Sequence, residues 1–250
     1  MNEKWRVIAL SQNSGAMNMA IDEAVSHFVN SNESLPTIRF YTWKPSCVTI
    51  GYHQSMTDEV DTEKCKELGI DVVRRLTGGG SVYHDSDGEI TYSIIARQEL
   101  FEKGIIESYK QICAWIIDGL EELGLKAEFK PINDIIVNNR KISGNAQTRR
   151  ANIICQHGTI LYKLDVATMF SVLKISKEKI SDKLIKSVEQ RVTSIKNEGD
   201  IEFDLVYQSL LKSFTKNKDF EFGKLSEPEY QLAKKLEKEK YLTNDWNFKR

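Results

Sequence analysis

Apolar residues recur at helical spacing in two stretches of the chain. Between Met17 and Phe28 they return every three or four positions, and residues 105–123 repeat the pattern up to Gly124. Such spacing gives a helix one apolar face. The sequence therefore predicts two amphipathic helices, the first with a polar side formed by Asn18, Asp22, Glu23 and Ser26.

Between these helices, alternating and β-branched runs predict strands near residues 5–10, 37–43, 47–52, 90–95, 132–137 and 153–161. Residues 58–68 predict a charged helix that Gly69 ends, and the chain after Asp165 is mainly helical by pattern, with a capping box at Ser226. Strands followed by helices indicate an α+β fold with a mixed or antiparallel sheet flanked by helices. We expect a main domain over 1–200 and a helical C-terminal extension over 201–250 packed on it.

Charge and cysteine content narrow the class of protein. The 250 residues include 35 Lys+Arg against 36 Asp+Glu, a formal net charge of −1, so we expect neither a nucleic-acid nor a membrane partner. The cysteines at 47, 65, 113 and 155 are scattered, which favours neither a zinc site nor a disulfide scaffold. With no apolar leader and no run of about 18 apolar residues, a soluble cytoplasmic protein with reduced thiols is expected.

The segment 74–85, Arg-Arg-Leu-Thr-Gly-Gly-Gly-Ser-Val-Tyr-His-Asp, lies between two predicted strands. Glycine tolerates positive φ, so backbone N–H groups can converge there on an anion, and the arginines add planar donors for carboxylate or phosphate. The segment predicts an anion site within a strand, glycine turn and strand. The alternative is a hairpin with a glycine-rich turn and solvated arginines.

A second polar group surrounds Lys141, which has small neighbours and the carboxylate of Asp134 ahead of it. The usual phosphate-binding and hydrolase motifs are absent. If Lys141 and the glycine segment face one pocket, a fixed cation and backbone donors could neutralise charge on a carboxylate and a phosphate. Carboxylate adenylation requires that arrangement.

Three ordered segments carry a family resemblance: 74–85, Asn133-Asp134 ahead of 141–146, and 157–161. Together they resemble the lipoate-protein ligase family, which shares its catalytic fold with biotin protein ligases and octanoyltransferases. The similarity runs from the first helix to about residue 195. It implies a biotin/lipoate ligase-like catalytic domain over 1–200. The implied function is that of a lipoate-protein ligase, which activates lipoate with ATP to lipoyl-AMP and then modifies a lysine of a lipoyl domain.

The resemblance also implies roles for individual residues. Lys141 is the expected catalytic residue, in contact with the carboxylate and the α-phosphate. Asn133, Asp134 and Tyr83 are expected near ATP, with Asp134 as the candidate Mg²⁺ ligand. The expected lipoyl or acyl-adenylate contacts are Arg75, Gly78, Gly79, Gly80, Ser81, His84, Gly144, Ala146, His157 and Gly158. For His84, holding the strands together is an equally good interpretation.

Expected partners are lipoyl domains of 2-oxoacid dehydrogenase E2 subunits, the glycine cleavage H protein, or both. A separate accessory polypeptide is a further expected partner, since some members of the family need one. The alternative function is an octanoyltransferase that takes octanoyl from an acyl carrier protein through a cysteine thioester. Residues 125–140 contain no cysteine, and Cys155 lies in a predicted strand, so a buried structural thiol is favoured there. A binding module that carries lipoate without chemistry is the third alternative.

Overall fold

The computed structural model describes residues 3–174 and 190–250. Within them the strands are β1 (Lys4–Asn13), β2 (Thr37–Trp43), β3 (Cys47–Ile50), β4 (Asp71–Arg74), β5 (Val82–His84), β6 (Glu89–Arg97), β7 (Ala127–Lys130), β8 (Asp134–Val137), β9 (Arg140–Arg150), β10 (Ile153–Leu161) and β11 (Asp219–Phe222). The helices are α1 (Gly15–Asn30), α2 (Met56–Glu59), α3 (Thr62–Glu67), α4 (Ile105–Glu122), α5 (Val166–Val172), α6 (Ile195–Glu198), α7 (Phe203–Thr215), α8 (Glu227–Leu236) and α9 (Asn244–Asn247).

In the described ranges, one eight-stranded sheet has the order β11-β1-β2-β6-β10-β9-β8-β7. β1 pairs in parallel with β2 and β11, and the other neighbours are antiparallel. Helices α4 and α7 cover one face and α1 covers the other, because successive side chains of each strand point to opposite faces. The predicted α+β class, with a mixed sheet flanked by helices, is confirmed.

A three-stranded sheet, β4-β3-β5, packs beside the large one and carries the glycine segment. β4 and β5 do not pair with each other; β3 lies between them, parallel to β4 and antiparallel to β5. The interpretation as a simple hairpin is therefore wrong. Residues 75–81 instead cross over the end of β3, which leaves the glycines on an exposed arch.

The first predicted helix, α1, differs from expectation in its polar side. Asn18 and Asp22 are buried rather than solvated, at 0% and 5% exposure. The cause is packing on both sides, since α1 contacts β6 and β10 as well as α8. Its polar residues bond inside the protein: Arg39 donates to Asp22 at 2.8 Å, and Ser93 donates to the same oxygen at 2.8 Å.

The charged helix predicted over 58–68 is two short helices, α2 and α3. The break lies at Val60, which is extended and bridges to Leu173, and the Asp61 side chain then caps α3. Gly69 follows α3 in the left-handed region, at φ 66°. A single helix is excluded because Val60 leaves the helical conformation to join the third apolar cluster of the protein.

The predicted helical C-terminal part contains α7, α8 and α9 and also a strand, β11, at the edge of the large sheet. Val206, Leu210 and Phe214 of α7 are fully buried in the main core beside α4. Burying side chains of this size contributes about 1.5–3 kcal/mol each. The helical prediction for 175–189 lies outside the described residues, and the domain division at 200 stays a prediction.

A helix that crosses a lipid bilayer needs about 20 mostly apolar residues. Within residues 3–174 and 190–250, none of the helices is both long enough and apolar enough to span a membrane.

Candidate active site

A cavity of about 370 Å³ lies between the large sheet and the small one. Its floor is the face of the large sheet formed by side chains in register across four strands, such as Gly144, Thr159, Thr91 and Tyr41. The glycine segment, β5 and α5 form the other walls. The cavity is therefore open on one side and deep on the other.

Most of the sequence-predicted site residues meet in this cavity. Those that line it are Arg75, Gly79, Gly80, Ser81, Tyr83, His84, Asn133, Lys141, Gly144, Ala146, His157 and Gly158. Gly78 and Asp134 do not line it, but Gly78 accepts a hydrogen bond from Arg75 and Asp134 pairs with Lys141. The structure thus brings three distant parts of the chain to one place.

Lys141 is fixed at the open side of the cavity. Its Nζ lies 2.7 Å from Asp134 Oδ1, with side chains 40% and 32% exposed. The backbone of Lys141 is anchored on both sides, by its N–H to Arg191 O at 2.7 Å and by Thr193 N–H to its own carbonyl at 2.8 Å. A Cβ at Gly144 would lie 2.9 Å from the Lys141 nitrogen, so a larger residue there would require the Lys141 side chain to shift.

Asn133 holds the β8 end of the site to β9. Its amide donates to Asn145 O, and Asn145 Nδ2 donates back to Asn133 O at 2.9 Å. Asn145 is itself fixed by Tyr92, whose hydroxyl donates to Asn145 Oδ1 at 2.6 Å. Because Tyr92 is fully buried, this chain of hydrogen bonds sets the distance between Asn133 and the sheet.

Arg74 does not face the cavity. Its side chain is fully buried, and Nη1 donates to the carbonyls of Gly51, Tyr52 and Gln54 at 2.6–3.2 Å. Nε and Nη2 donate to carbonyls of Trp246 and Asn247. The guanidinium that sequence reasoning gave to a ligand therefore joins the C-terminal tail to the loop after β3.

Arg75 lies at the back of the cavity, where burial lowers its pKa to about 10. Nη2 donates to Gly78 O at 2.8 Å and to Gly80 O at 2.7 Å, which shapes the glycine arch from inside. Gly79 takes φ 94°, a conformation that other residues rarely adopt. The amides of Gly79 and Gly80 have no hydrogen-bond partner among residues 3–174 and 190–250, and both residues are exposed. They are the free donors of the arch.

Two chains of polar side chains lead from Arg75 toward the buried carboxylates of Glu89 and Asp22. In the first, Arg75 donates to Thr49 at 3.0 Å, Thr49 lies 2.9 Å from His84 Nε2, and His84 Nδ1 lies 2.7 Å from Glu89. The Thr49 hydroxyl accepts from Arg75 and can still either donate to or accept from His84 Nε2. His84, stacked on Trp43 at 4.0 Å between ring centroids, both lines the cavity and joins β3, β5 and β6.

In the second chain, Arg75 donates to Thr77 at 3.1 Å, and Thr77 lies 2.8 Å from His157 Nε2. His157 Nδ1 faces Asp22 Oδ2 at 3.5 Å, beyond a strong hydrogen bond. Burial lowers the pKa of His157, so the ring is neutral near pH 7. Burial alone would raise the pKa of Asp22, but His157 and Arg39 outweigh it and lower that pKa. His84 is thus hydrogen-bonded at both ring nitrogens, whereas His157 is hydrogen-bonded within the described residues only at Nε2.

The remaining wall of the cavity is apolar. Alkyl, thioether and aromatic side chains contribute most of it: Met19, Tyr41, Trp43, Val82, Leu161, Leu164, Val166, Met169, Leu173 and Val192. An open mouth with the Lys141 ammonium and free amides, followed by a mainly apolar interior, suits an acyl group whose carbonyl stays at the mouth.

The cysteines lie outside this cavity, and all are buried. Burial raises the pKa of Cys65 to about 11 and of Cys113 to about 12. It raises the pKa of Cys47 and Cys155 well above the ordinary value as well. A nucleophilic cysteine needs an accessible thiolate, and none of these four side chains offers one. The predicted burial of Cys155 is confirmed.

Sequence reasoning missed several residues that shape the site. They are Asp22, Trp43, Thr49 and Met19. One signal was present for Thr49, a polar residue within the otherwise apolar strand Cys47–Ile50. No local pattern marks Met19, whose position depends on how α1 crosses the sheet.

The candidate metal ligand Asp134 has no carboxylate, imidazole or thiol neighbours that would complete a site. In the described part of the chain, no three His, Cys, Asp or Glu side chains are grouped so that they could hold a metal ion. Asp134 Oδ1 pairs with Lys141.

Comparison with known proteins gives the family context of this geometry. Residues 14–215 match the family model of the lipoyl protein ligase A/B catalytic domain. Octanoyltransferase LipM of Clostridioides difficile (strain 630) is 35% identical over 275 aligned residues, covering 100% of both chains. LipM of Staphylococcus aureus (strain NCTC 8325 / PS 47) is 32% identical over 278 aligned residues, again covering 100% of both.

Among solved structures, the chain is similar to a bi-partite lipoate protein ligase of Thermoplasma acidophilum, which was described together with its E2 lipoyl domain. The two superpose with a TM-score of 0.88 and 31% identity, covering 99% of this chain and 97% of the other. The whole described fold therefore occurs in this family.

These comparisons overturn two predictions. The main functional prediction, an ATP-dependent lipoate-protein ligase, is wrong, because full-length relatives at 32–35% identity are named octanoyltransferases. The prediction of ATP and Mg²⁺ as cofactors is wrong for the same reason. The physical reason is that a thioester is already an activated acyl group, so its transfer to an amine needs no adenylation. The separate accessory polypeptide stays a prediction.

Proposed function

This chain belongs to the lipoyl protein ligase A/B catalytic-domain family of enzymes, and we propose that it transfers an octanoyl group from an acyl carrier protein thioester to a lysine of a lipoyl domain. One observation carries the proposal: the octanoyltransferases named above match this chain along their whole length and its own. The alternative named in the sequence analysis thus replaces its main prediction.

The reaction is aminolysis of a thioester. The neutral lysine amine of the acceptor attacks the carbonyl carbon, the C–N bond forms, and the C–S bond breaks. The proton lost by the amine goes to the departing thiolate, which leaves as the thiol of the carrier. Atoms and charges balance without a nucleotide.

Two groups at the cavity mouth support this step. The carbonyl oxygen gains negative charge in the tetrahedral intermediate, and donors fixed in advance around it lower the barrier. The Lys141 ammonium is one such donor, held by Asp134 at 2.7 Å. The amides of Gly79 and Gly80 are the others. We assign Lys141 as the catalytic residue, with the arch as its partner in oxyanion binding.

The octanoyltransferase alternative in the sequence analysis includes a thioester with a cysteine of the enzyme, and the described residues offer no suitable cysteine for it. All four thiols are buried with raised pKa, and none lines the cavity. Transfer in a single displacement, from carrier thioester directly to acceptor lysine, therefore fits these residues better. The predicted contacts at Ala146, Gly158, Ser81 and Tyr83 then border the acyl chain and the carrier arm rather than a nucleotide.

The expected acceptors are the lipoyl domains of 2-oxoacid dehydrogenase E2 subunits and the glycine cleavage H protein. The Thermoplasma acidophilum neighbour was described with an E2 lipoyl domain, which supports the first of these. An acceptor lysine can reach the mouth because Lys141, Gly79 and Gly80 lie at its accessible side.

The test is a mass measurement on an apo lipoyl domain incubated with this protein and octanoyl-carrier protein, without nucleotide. We expect the acceptor to gain one octanoyl group. Parallel reactions contain free octanoate or free lipoate with Mg-ATP, and we expect no gain there. Modification that occurs only in the nucleotide reactions would overturn the proposal.

A further inference from the structure

A second cavity, of about 230 Å³, lies next to the first on the same side of the large sheet. Met19 and His157 line both cavities. Beyond them, the second cavity is bordered by α1, by the adjoining ends of β9 and β10, by Leu76 and Thr77, and by Tyr241. The two spaces are thus neighbours that share one partition.

The strands show that these cavities form one trough. Along β10, side chains of one face are two residues apart: Leu161, Thr159 and His157 line the first cavity, and His157, Cys155 and Ile153 line the second. On β9, Gly144 and Ala146 line the first, and Thr148 and Arg150 line the second. At ~3.3 Å per residue, Leu161 and His157 are about 13 Å apart. The first cavity therefore runs inward from the mouth over about that length and ends at His157, where the second cavity begins.

The partition has one fixed half and one adaptable half. His157 is held by Thr77 at 2.8 Å and faces Asp22, and its backbone is part of the ladder between β9 and β6. Met19, only 3% exposed, contributes a thioether that makes no hydrogen bond within residues 3–174 and 190–250 and can change rotamer. Shortening the side chain at 19 is therefore the change that joins the two cavities with the least disturbance.

We propose that Met19 is the residue that limits acyl chain length, by closing the trough behind an octanoyl group. The inference rests on the proposed function, since it assigns the apolar interior to the acyl chain. With Met19 in place, a longer chain has no room beyond His157. Without it, the chain extends over Ile153, Ala151 and Leu76 into the second cavity.

The experiment compares Met19→Ala with Met17→Ala, a change on the same helix at a partly buried residue that lines neither cavity. The first readout is calorimetric binding of free octanoate and free dodecanoate, which needs no catalysis. We expect Met19→Ala to raise the dodecanoate-to-octanoate affinity ratio about tenfold or more, because the four added methylenes become buried. Met17→Ala should leave the ratio at its parent value.

The second readout is transfer from octanoyl- and dodecanoyl-carrier protein to the apo lipoyl domain, in which the rate ratio should shift the same way. An unchanged binding ratio in Met19→Ala, or an equal shift in Met17→Ala, overturns the inference even if octanoyl transfer is found. Absence of transfer by the parent protein, with the binding ratio still shifted, overturns the proposed function alone. Should Met19→Ala fail to fold, Met19→Val opens the partition less and must shift the ratio in the same direction.

Discussion

Replacing Lys141 by alanine removes the only side-chain donor that we assign to the reacting carbonyl. Its ammonium is held 2.7 Å from Asp134 and against Gly144, so it is positioned before substrate arrives. Loss of one such donor lowers kcat by about 10²–10³-fold, or about 3–4 kcal/mol of transition-state stabilisation. The side chain is 40% exposed, so the free energy of unfolding should change by no more than about 0.5 kcal/mol.

The assay is octanoyl transfer to an apo lipoyl domain under single-turnover conditions, followed by mass. Lys163→Ala is the matched control, since Lys163 lines the same cavity, is exposed, and has no carboxylate partner among the described residues. We expect the control to retain nearly the full rate, because an exposed charge that is screened by solvent contributes little.

Two results would refute this reasoning. Full transfer by Lys141→Ala would show that the carbonyl is stabilised elsewhere in the cavity. Equal losses in Lys141→Ala and Lys163→Ala would show that general positive charge at the mouth, rather than one placed ammonium, accounts for the effect. Urea unfolding of both variants separates loss of catalysis from loss of structure.

Three other predictions concern groups outside the reaction centre. Alanine at all four cysteines should leave measurable transfer, and complete loss in natively folded protein would restore a thioester intermediate. Burial raises the pKa of Glu229, but hydrogen bonds from Arg6 at 2.6 and 2.7 Å outweigh it and hold that pKa below 4.5. The Arg6–Glu229 pair therefore stabilises the folded protein above pH 4.5, and this contribution is lost as the pH falls through the lowered pKa of Glu229. Glu229→Gln should lower the free energy of unfolding by about 3–5 kcal/mol at neutral pH and flatten the acid limb of a plot of stability against pH. Asn247→Ala removes an acceptor 2.8 Å from the Arg74 amide and should cost about 1–3 kcal/mol in urea unfolding, against about 0.5 or less for exposed Asn244→Ala.

Local pattern was sufficient for elements whose environment is one-sided. The helix predicted over 105–123 is α4, Ile105–Glu122, because one face packs on the core and the other meets solvent. Asn138 and Asn139 form the turn between β8 and β9, both at positive φ, a conformation that asparagine tolerates in tight turns. In these segments neighbours in sequence determine the structure.

The sequence pattern did not predict the structure where a segment packs against, or pairs with, segments that are distant in the chain. Asp22 and Asn18 have the spacing of a solvated face, yet that side of α1 packs on the large sheet, where Arg39 and Ser93 donate to Asp22. The strands around the glycine arch are consecutive, but β3 is inserted between them. Arg74 and Arg75 are adjacent and alternate in direction, so one guanidinium reaches the cavity wall and the other the C-terminal tail.

The wrong choice between ligase and transferase has a chemical cause. Attack of an amine on an acyl adenylate and attack on a thioester pass through the same kind of tetrahedral oxyanion. The donors proposed here, Lys141 and the amides of Gly79 and Gly80, serve either reaction, because they are assigned to the oxygen and not to the leaving group. Motifs built from these residues therefore identify acyl transfer to an amine but do not distinguish phosphate from thiol as the leaving group. That distinction depends on which donor docks at the mouth, and the nucleotide-free transfer assay measures it directly.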